Sequence, residues 1–373
     1  MRLLDSCKLE YNIHEIAKYD LENDNVFGSS YVVIQNGQEV FKKHFGVMGP
    51  NEKKSVNDHT IYRIASMSKP ITAIAVLILV DRGMLSLNDP VKKFLPEFKD
   101  IHITTADGTD LGIATTDMTV LHLLTHTSGI GNSKSFQMCD KDKKTVNDTV
   151  NFFAKAGLDF NPFTKQVYSA IAAFDVLVKI IETITGEDFE EFLQRELFNP
   201  CLMKDTTFSP TSEQMLRIIA MHDKKDEKRI IGKTFEGCVF GDYPFGHNLG
   251  GAGLVSTLPD YAHFVTMLLD NGKTENKQII SEKTLKLLSH PHVTKEDLPG
   301  NFNRGLGVRV VTENDESILP LGSYGWSGSY GTHFWIDPEN NIACVYMKNS
   351  HIDVRGDGQS AMNFEHAVYD ALV

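Results

Sequence analysis

Strand-like patterning sits near both ends of this chain, and helix-like patterning fills most of the middle. Early on, Ser29-Ser30-Tyr31-Val32-Val33-Ile34-Gln35 runs into Asn36-Gly37 and then Gln38-Glu39-Val40-Phe41. Such β-rich runs suit a pleated surface, and Asn-Gly tolerates the positive φ of a type I′ turn, so the segment predicts a β-hairpin. Three more strand-like runs come late, at 307–311, 332–336 and 342–346; turn-forming residues 337–341 join the last two. Between these blocks, residues 70–81 are apolar on nearly every face and stop at Gly83, which predicts a buried helix. Helices are also predicted over 118–126, 170–185 (stopping at Gly186), 189–197, 260–269 and 361–372. The pattern predicts an α+β fold. An antiparallel sheet is assembled from both chain ends and flanked by helices, with a mostly helical region inserted and a cleft between the two parts. It is expected to be one domain over 1–373. Residues 1–65 and 250–373 carry the sheet, and 66–249 form the helical part.

Charge and composition narrow the function. The chain has 37 Lys+Arg against 49 Asp+Glu, a formal net charge of −12 without a basic cluster, so nucleic acid is excluded as a partner. Its five cysteines are odd in number and never at C-x-x-C spacing, which argues against a disulfide framework or a cysteine zinc site. The first residues, Met1-Arg2-Leu3-Leu4-Asp5, lead into no apolar leader core, and the longest apolar stretch, 71–80, is too short to span a bilayer. A cytoplasmic protein with no membrane span is the expectation. His122 and His126 have helix-ligand spacing, but no Glu follows His122 as H-E-x-x-H requires, and His290-Pro291-His292 has no third ligand nearby. No metal or cofactor is expected. Gly250-Gly251-Ala252-Gly253 lacks the Lys-Ser/Thr of a phosphate loop and reads as a tight turn near the cleft. The mixed-sign runs 224–229 and 140–144 read as solvated loops, while 131–147 and 217–248 should roof the helical side of the cleft.

The candidate chemistry begins at Ile64-Ala65-Ser66-Met67-Ser68-Lys69-Pro70. A serine hydroxyl is a poor nucleophile and needs a base; on a helix, residues three apart share a face, so Lys69 can meet Ser66. A serine at a helix start also has free N–H groups and the positive end of the dipole beside it, which favour an oxyanion. The same spacing suits a capped helix with a solvated lysine, and the pair alone does not decide. A nucleophile elbow, G-x-S-x-G, is absent from the sequence.

Further blocks decide by resemblance. Ser66-Met67-Ser68-Lys69 leads a helix ending at Gly83, followed by Leu85-Ser86-Leu87-Asn88-Asp89-Pro90-Val91. Then come Leu123-Leu124-Thr125-His126-Thr127-Ser128-Gly129, Gly250-Gly251-Ala252-Gly253-Leu254-Val255-Ser256-Thr257 and Gly331-Thr332-His333-Phe334-Trp335-Ile336-Asp337-Pro338. Together, over nearly the whole chain, they resemble the serine β-lactamase and penicillin-binding superfamily in its class C branch. The resemblance implies a second motif, Tyr-x-Asn, whose counterpart is Tyr168-Ser169-Ala170, with Tyr168 relaying protons beside Ser66 and Lys69. It implies a third motif at Trp326-Ser327-Gly328, with Trp326, Ser327 and Gly328 against the substrate and Ser329 offering the second oxyanion N–H opposite that of Ser66. Two positions depart: Ala170 replaces the amide-gripping Asn, and Trp326 replaces the Lys or His cation. Both departures fall on substrate grip. Trp326 beside Tyr-Ser-x resembles the β-lactamase-fold carboxylesterases and acyltransferases. The expectation is a serine hydrolase with an acyl-Ser66 intermediate, an esterase or transesterase acting on a small-molecule substrate. A β-lactamase or D-amino-acid peptidase on the same fold and a catalytically silent ligand-binding homologue are the alternatives.

Overall fold

The computed structural model describes residues 2–50, 53–131, 145–225, 228–232, 246–352 and 358–373, with side chains outside 223–232. In chain order the elements are α1 (Ser6–Glu22), β1 (Gly28–Gln35), β2 (Gln38–Gly46), β3 (Ile61–Arg63), α2 (Ser68–Asp81), β4 (His102–Thr104), β5 (Asp110–Ile113) and α3 (Val120–Leu124). Next come α4 (Val146–Ala156), α5 (Ala172–Thr185), α6 (Phe189–Leu193), α7 (Ser212–Met215), β6 (Met221–Lys225), β7 (Lys228–Gly232), β8 (Val255–Thr257) and α8 (Leu258–Leu269). The C-terminal part holds α9 (Glu282–Ser289), β9 (Asn303–Arg304), β10 (Arg309–Val310), β11 (Tyr324–Ser327), β12 (His333–Asp337), β13 (Ile342–Lys348) and α10 (Gln359–Asp370).

Seven strands form one antiparallel sheet in the order β2-β1-β13-β12-β11-β10-β9. β1 lies on β13 with Gln35 opposite Ile342, so strands from the two ends of the chain meet inside the sheet. Successive side chains of a strand point to opposite faces. Tyr31 and Val33 of β1 therefore join Leu9 and Ile13 of α1 and Phe364 and Val368 of α10 in one core. Val32 and Ile34 face the other way, into the larger core with α8 and α2. The expected architecture holds: an antiparallel sheet from both chain ends, with helices on each face and a helical insert.

α2 is the pillar between sheet and insert. Its residues from Ser68 to Leu79 are all buried, as its all-round apolar sequence predicts, and it packs against α5 and α9. Gly83 (φ 68°) and Gly186 (φ 73°) supply the left-handed residues that end α2 and α5. The Asn36-Gly37 turn has φ of 55° and 71°, as a type I′ hairpin needs.

Several boundaries move. The helix predicted over 118–126 is only α3, because Thr119 caps it at the start and His126 takes a left-handed φ of 60°. The strand predicted over 307–311 pairs only at Arg309–Val310. Of the run 224–229, read as a solvated loop, Lys224 instead pairs with Arg229 and Lys225 with Lys228 in the β6–β7 ladder, because main-chain pairing is indifferent to mixed charges; 226–227 lie outside the described residues. α1, α4, α9 and the short pairs β3–β8 and β4–β5 lay outside the predicted set. The run 140–144 lies outside the described residues. No helix among the described residues is long and apolar enough to cross a membrane.

Candidate active site

Ser66 sits in a single 3₁₀ turn, Ala65–Met67, just ahead of α2, rather than on the α-helix itself. The turn is strained and held. Ala65 has φ of 43°, costly for a residue with a Cβ, so the surroundings must enforce it. Met67 N–H donates to Ile64 O at 3.0 Å, and the Tyr261 hydroxyl donates to Met67 O at 3.0 Å. The Ser68 hydroxyl donates to Ala65 O at 2.7 Å and accepts from Leu254 N–H at 3.2 Å. Ser66 thus projects from a backbone fixed on both sides, the preorganisation a nucleophile requires.

Lys69, one helical turn on, is fully buried. Its Nζ donates to Ser66 Oγ at 3.3 Å, Ala170 O at 2.8 Å and Gly251 O at 2.7 Å. A Cβ on Gly251 would collide with Ala170 O at 2.8 Å and crowd this ammonium at 3.2 Å, which explains the glycine there. The turn read from Gly250-Gly251-Ala252-Gly253 is real, closed by Gly253 N–H to Leu249 O at 2.8 Å. Burial pulls the Lys69 pKa down, and Tyr168 and Asp175 hold part of it back.

Tyr168 completes the group, its hydroxyl donating to Ser66 Oγ at 2.8 Å. Burial alone would push the phenol up. The Lys69 charge, helped by the hydrogen bonding around the phenol, outweighs it and leaves Tyr168 below its ordinary range. The loop carrying Tyr168 is pinned by His126, whose Nδ1 accepts from Ser169 N–H at 3.2 Å and whose ring lies 4.6 Å from the Tyr168 ring. Burial drives His126 well below the usual imidazole range, which suits an accepting Nδ1. His122 likewise accepts from Thr119 N–H through Nδ1, inside the α3 cap.

The third motif behaves differently from the expectation in two places. Trp326 does wall the site, its ring 5.7 Å from that of Tyr168. Ser327, however, shares its hydroxyl with His333 Nδ1 at 2.8 Å, and His333 Nε2 meets Glu365 Oε1 at 2.9 Å. Trp326 and Ser327 leave opposite faces of β11, so only Trp326 packs against the Ser66 side. A Cβ on Gly328 would collide with Ile64 O and Thr332 Oγ1, so close backbone packing, rather than room for substrate, accounts for this glycine. Thr332 Oγ1 also donates to Ile64 O at 3.2 Å, tying the turn that carries Ser329 to the backbone two residues before Ser66. The Ser329 hydroxyl is buried and has no hydrogen-bond partner among the described residues.

The beta-lactamase family profile matches residues 14–363 of the chain. The chain belongs to the beta-lactamase family. Esterase EstB of Burkholderia gladioli is 28% identical over 60% of this chain and 57% of its own length. The N-acetylmuramyl-L-alanine amidase of Bacillus subtilis is 26% identical over 86% of this chain and 77% of its own. Among solved structures, EstCE1, a hydrolase with promiscuous acyltransferase activity, shares the fold with a TM-score of 0.82 at 22% identity; the match covers 98% of this chain and 99% of that one. The class C-like, esterase-related resemblance carried by the sequence blocks therefore holds, in a family of serine hydrolases that act on esters and peptides.

Against that family pattern, the Ala170 departure reads in a new way: its main-chain carbonyl, which any residue would supply, holds Lys69. Three groups escaped sequence reasoning. Asp175 is fully buried, accepting from Gly250 N–H at 3.2 Å and meeting His247 Nε2 at 3.1 Å. A lone carboxylate in the apolar run 171–178 was its signal. His126 stood in a quoted block and was weighed only as half of a helix-spaced metal pair. Arg304 lies in a two-residue strand and had no pattern to betray it.

Proposed function

We propose that this protein is an esterase or transesterase that works through an acyl-Ser66 intermediate. The observation that carries the reading is the sharing of Ser66 Oγ between Lys69 Nζ at 3.3 Å and the Tyr168 hydroxyl at 2.8 Å, in a pocket walled by Trp326 rather than by a cation. In the reactive form Tyr168 is the phenolate or Lys69 the neutral amine, and either can take the Ser66 proton. Ser66 Oγ attacks the ester carbonyl carbon. The oxyanion collects on the main-chain N–H groups of Ser66 and Ser329. As the tetrahedral species collapses, the C–O bond to the alcohol breaks and the proton held by Tyr168 or Lys69 passes to the departing oxygen. Water or another alcohol then attacks the acyl-Ser66 carbonyl, losing its proton to the same base, and Ser66 is regenerated.

The ester reading is supported by the two substituted grips. An alanine side chain cannot hydrogen-bond a substrate amide, and an indole offers one neutral donor on a large apolar body, which suits an uncharged acyl or alcohol group over a carboxylate. The name of EstB agrees with it. The test is hydrolysis of p-nitrophenyl butyrate by wild type and Ser66→Ala, with intact-mass detection of a fluorophosphonate adduct on Ser66. Ser66-dependent turnover well above that of nitrocefin is expected. Equal rates in wild type and Ser66→Ala would sink the reading, and nitrocefin turnover at the ester rate would move it to lactams.

A further inference from the structure

A buried cation stands behind the Trp326 wall. Arg304, from β9 at the sheet edge, is only 4% exposed. Its guanidinium carbon lies 4.9 Å from the Trp326 ring centre, 5.1 Å from that of Phe302 and 5.9 Å from that of Tyr168. Three aromatic faces thus surround one delocalised charge, the geometry in which ring quadrupoles replace lost hydration. Its Nε donates to Gln166 Oε1 at 3.3 Å, two residues before Tyr168. Gly300 presses on the same amide, since a Cβ there would collide with Gln166 Oε1. The root of the side chain is fixed as well: Arg304 N–H donates to Val293 O at 2.7 Å, and Arg304 O accepts from His292 N–H at 2.8 Å.

We propose that Arg304 is a positioning residue that returns to the site, from β9, the positive charge that Trp326 displaced from the third motif. Stacked on Tyr168 and tied to Gln166, it holds the phenol in line with Ser66 Oγ. Its charge acts on both candidate bases in the same sense. A nearby cation favours the phenolate of Tyr168 and disfavours a second cation on Lys69, so either base is more often ready to take the Ser66 proton. Among the described residues, the other titratable groups facing this pair are Asp175 of α5, held by Gly250 N–H and His247, and His126 after α3, which burial keeps neutral. Neither replaces the cation.

The proposal rests on the acyl-Ser66 reading, and its test separates the two. The pH profile of kcat/KM for p-nitrophenyl butyrate is measured for wild type, Arg304→Met and Arg304→Lys, with Ser66→Ala as the blank. Met suits an aromatic box while removing the charge. Arg304→Met is expected to lose about tenfold or more at neutral pH and to move the acid limb up by about one pH unit, because the base loses a favourable field. Arg304→Lys should keep the limb within about 0.3 unit, because the charge remains. A slower Arg304→Met with an unmoved limb would mark a merely structural residue and overturn the proposal. Should Arg304→Met fail to fold, Phe302→Ala opens the box to water. It should shift the limb in the same direction by about half a unit, and no shift there overturns the proposal too. Wild type without Ser66-dependent hydrolysis would defeat the acyl-Ser66 reading itself.

Discussion

Replacing Tyr168 by Phe removes one oxygen and little else. The ring keeps its place 4.6 Å from His126 and 5.7 Å from Trp326, and Ser66 Oγ keeps Lys69 Nζ at 3.3 Å. What disappears is the 2.8 Å hydrogen bond to Ser66 and with it the phenol's share of proton transfer. One net hydrogen bond contributes about 1 kcal/mol, so folding stability should fall by no more than about 1.5 kcal/mol. A positioned acid–base group is worth about 10²–10⁴ in rate, which at about 1.4 kcal/mol per decade raises the barrier by roughly 3–5.5 kcal/mol. The barrier change therefore exceeds the stability change by a factor of two or more, and the two are measured separately. Urea denaturation followed by circular dichroism gives the first. Steady-state kcat/KM for p-nitrophenyl butyrate gives the second. A folded Tyr168→Phe variant with less than about a tenfold loss would show that Lys69 alone moves the proton and would refute the relay argued from this geometry.

Two further outcomes follow from packing and burial. Gly328→Ala forces a methyl against Ile64 O and Thr332 Oγ1, and overpacking of this kind costs about 1–3 kcal/mol; a lowered Tm and a lowered kcat/KM are expected, and neither changing would disprove the close approach. His126, buried and held well below its ordinary pKa, gives a pH-dependent share of stability. The unfolded chain takes the proton near the ordinary imidazole value of about 6.5 and the folded one does not. That share is therefore present above this pH and lost as pH falls through the window down to the folded value, by up to about 1.4 kcal/mol per unit. His126→Gln, whose amide oxygen can still accept from Ser169 N–H, should lose stability less steeply on acidification, and equal slopes in urea melts would count against the argument.

What the sequence disclosed depended on whether a neighbour along the chain carried the signal. The β1–β2 turn was legible because Asn36 and Gly37 announce their own backbone angles, and α2 because its residues are apolar on every side. Ser66 and Lys69 share one helical turn, so their meeting could be read from spacing. The α1 helix was not legible in the same way: it buries only Leu9, Ile13, Ala17 and Asp20, a thin stripe in an otherwise polar segment. The third motif was found by resemblance, but the side-chain directions of Trp326 and Ser327 come from strand pleating against β12, which a linear motif does not express. Arg304 is the extreme case. Its partners are Gln166, Tyr168, Phe302 and Trp326, and three of these lie far from it along the chain.

The pairing of β1 with β13 also governs how such a chain comes to exist. The buried strand β1 and its neighbour in the sheet lie far apart along the chain, and Gln35 meets Ile342 across some three hundred intervening residues. Contacts so distant in sequence form late and slowly, and an unpaired apolar strand is in the meantime an invitation to wrong partners. The Ser66 turn leans on both sides of that delay. β3, immediately upstream of it, pairs with β8, and Ile64 accepts from Thr332. The backbone that carries Ser66 is therefore complete only once strands and turns from far downstream, at 255–257 and Thr332, have docked on it.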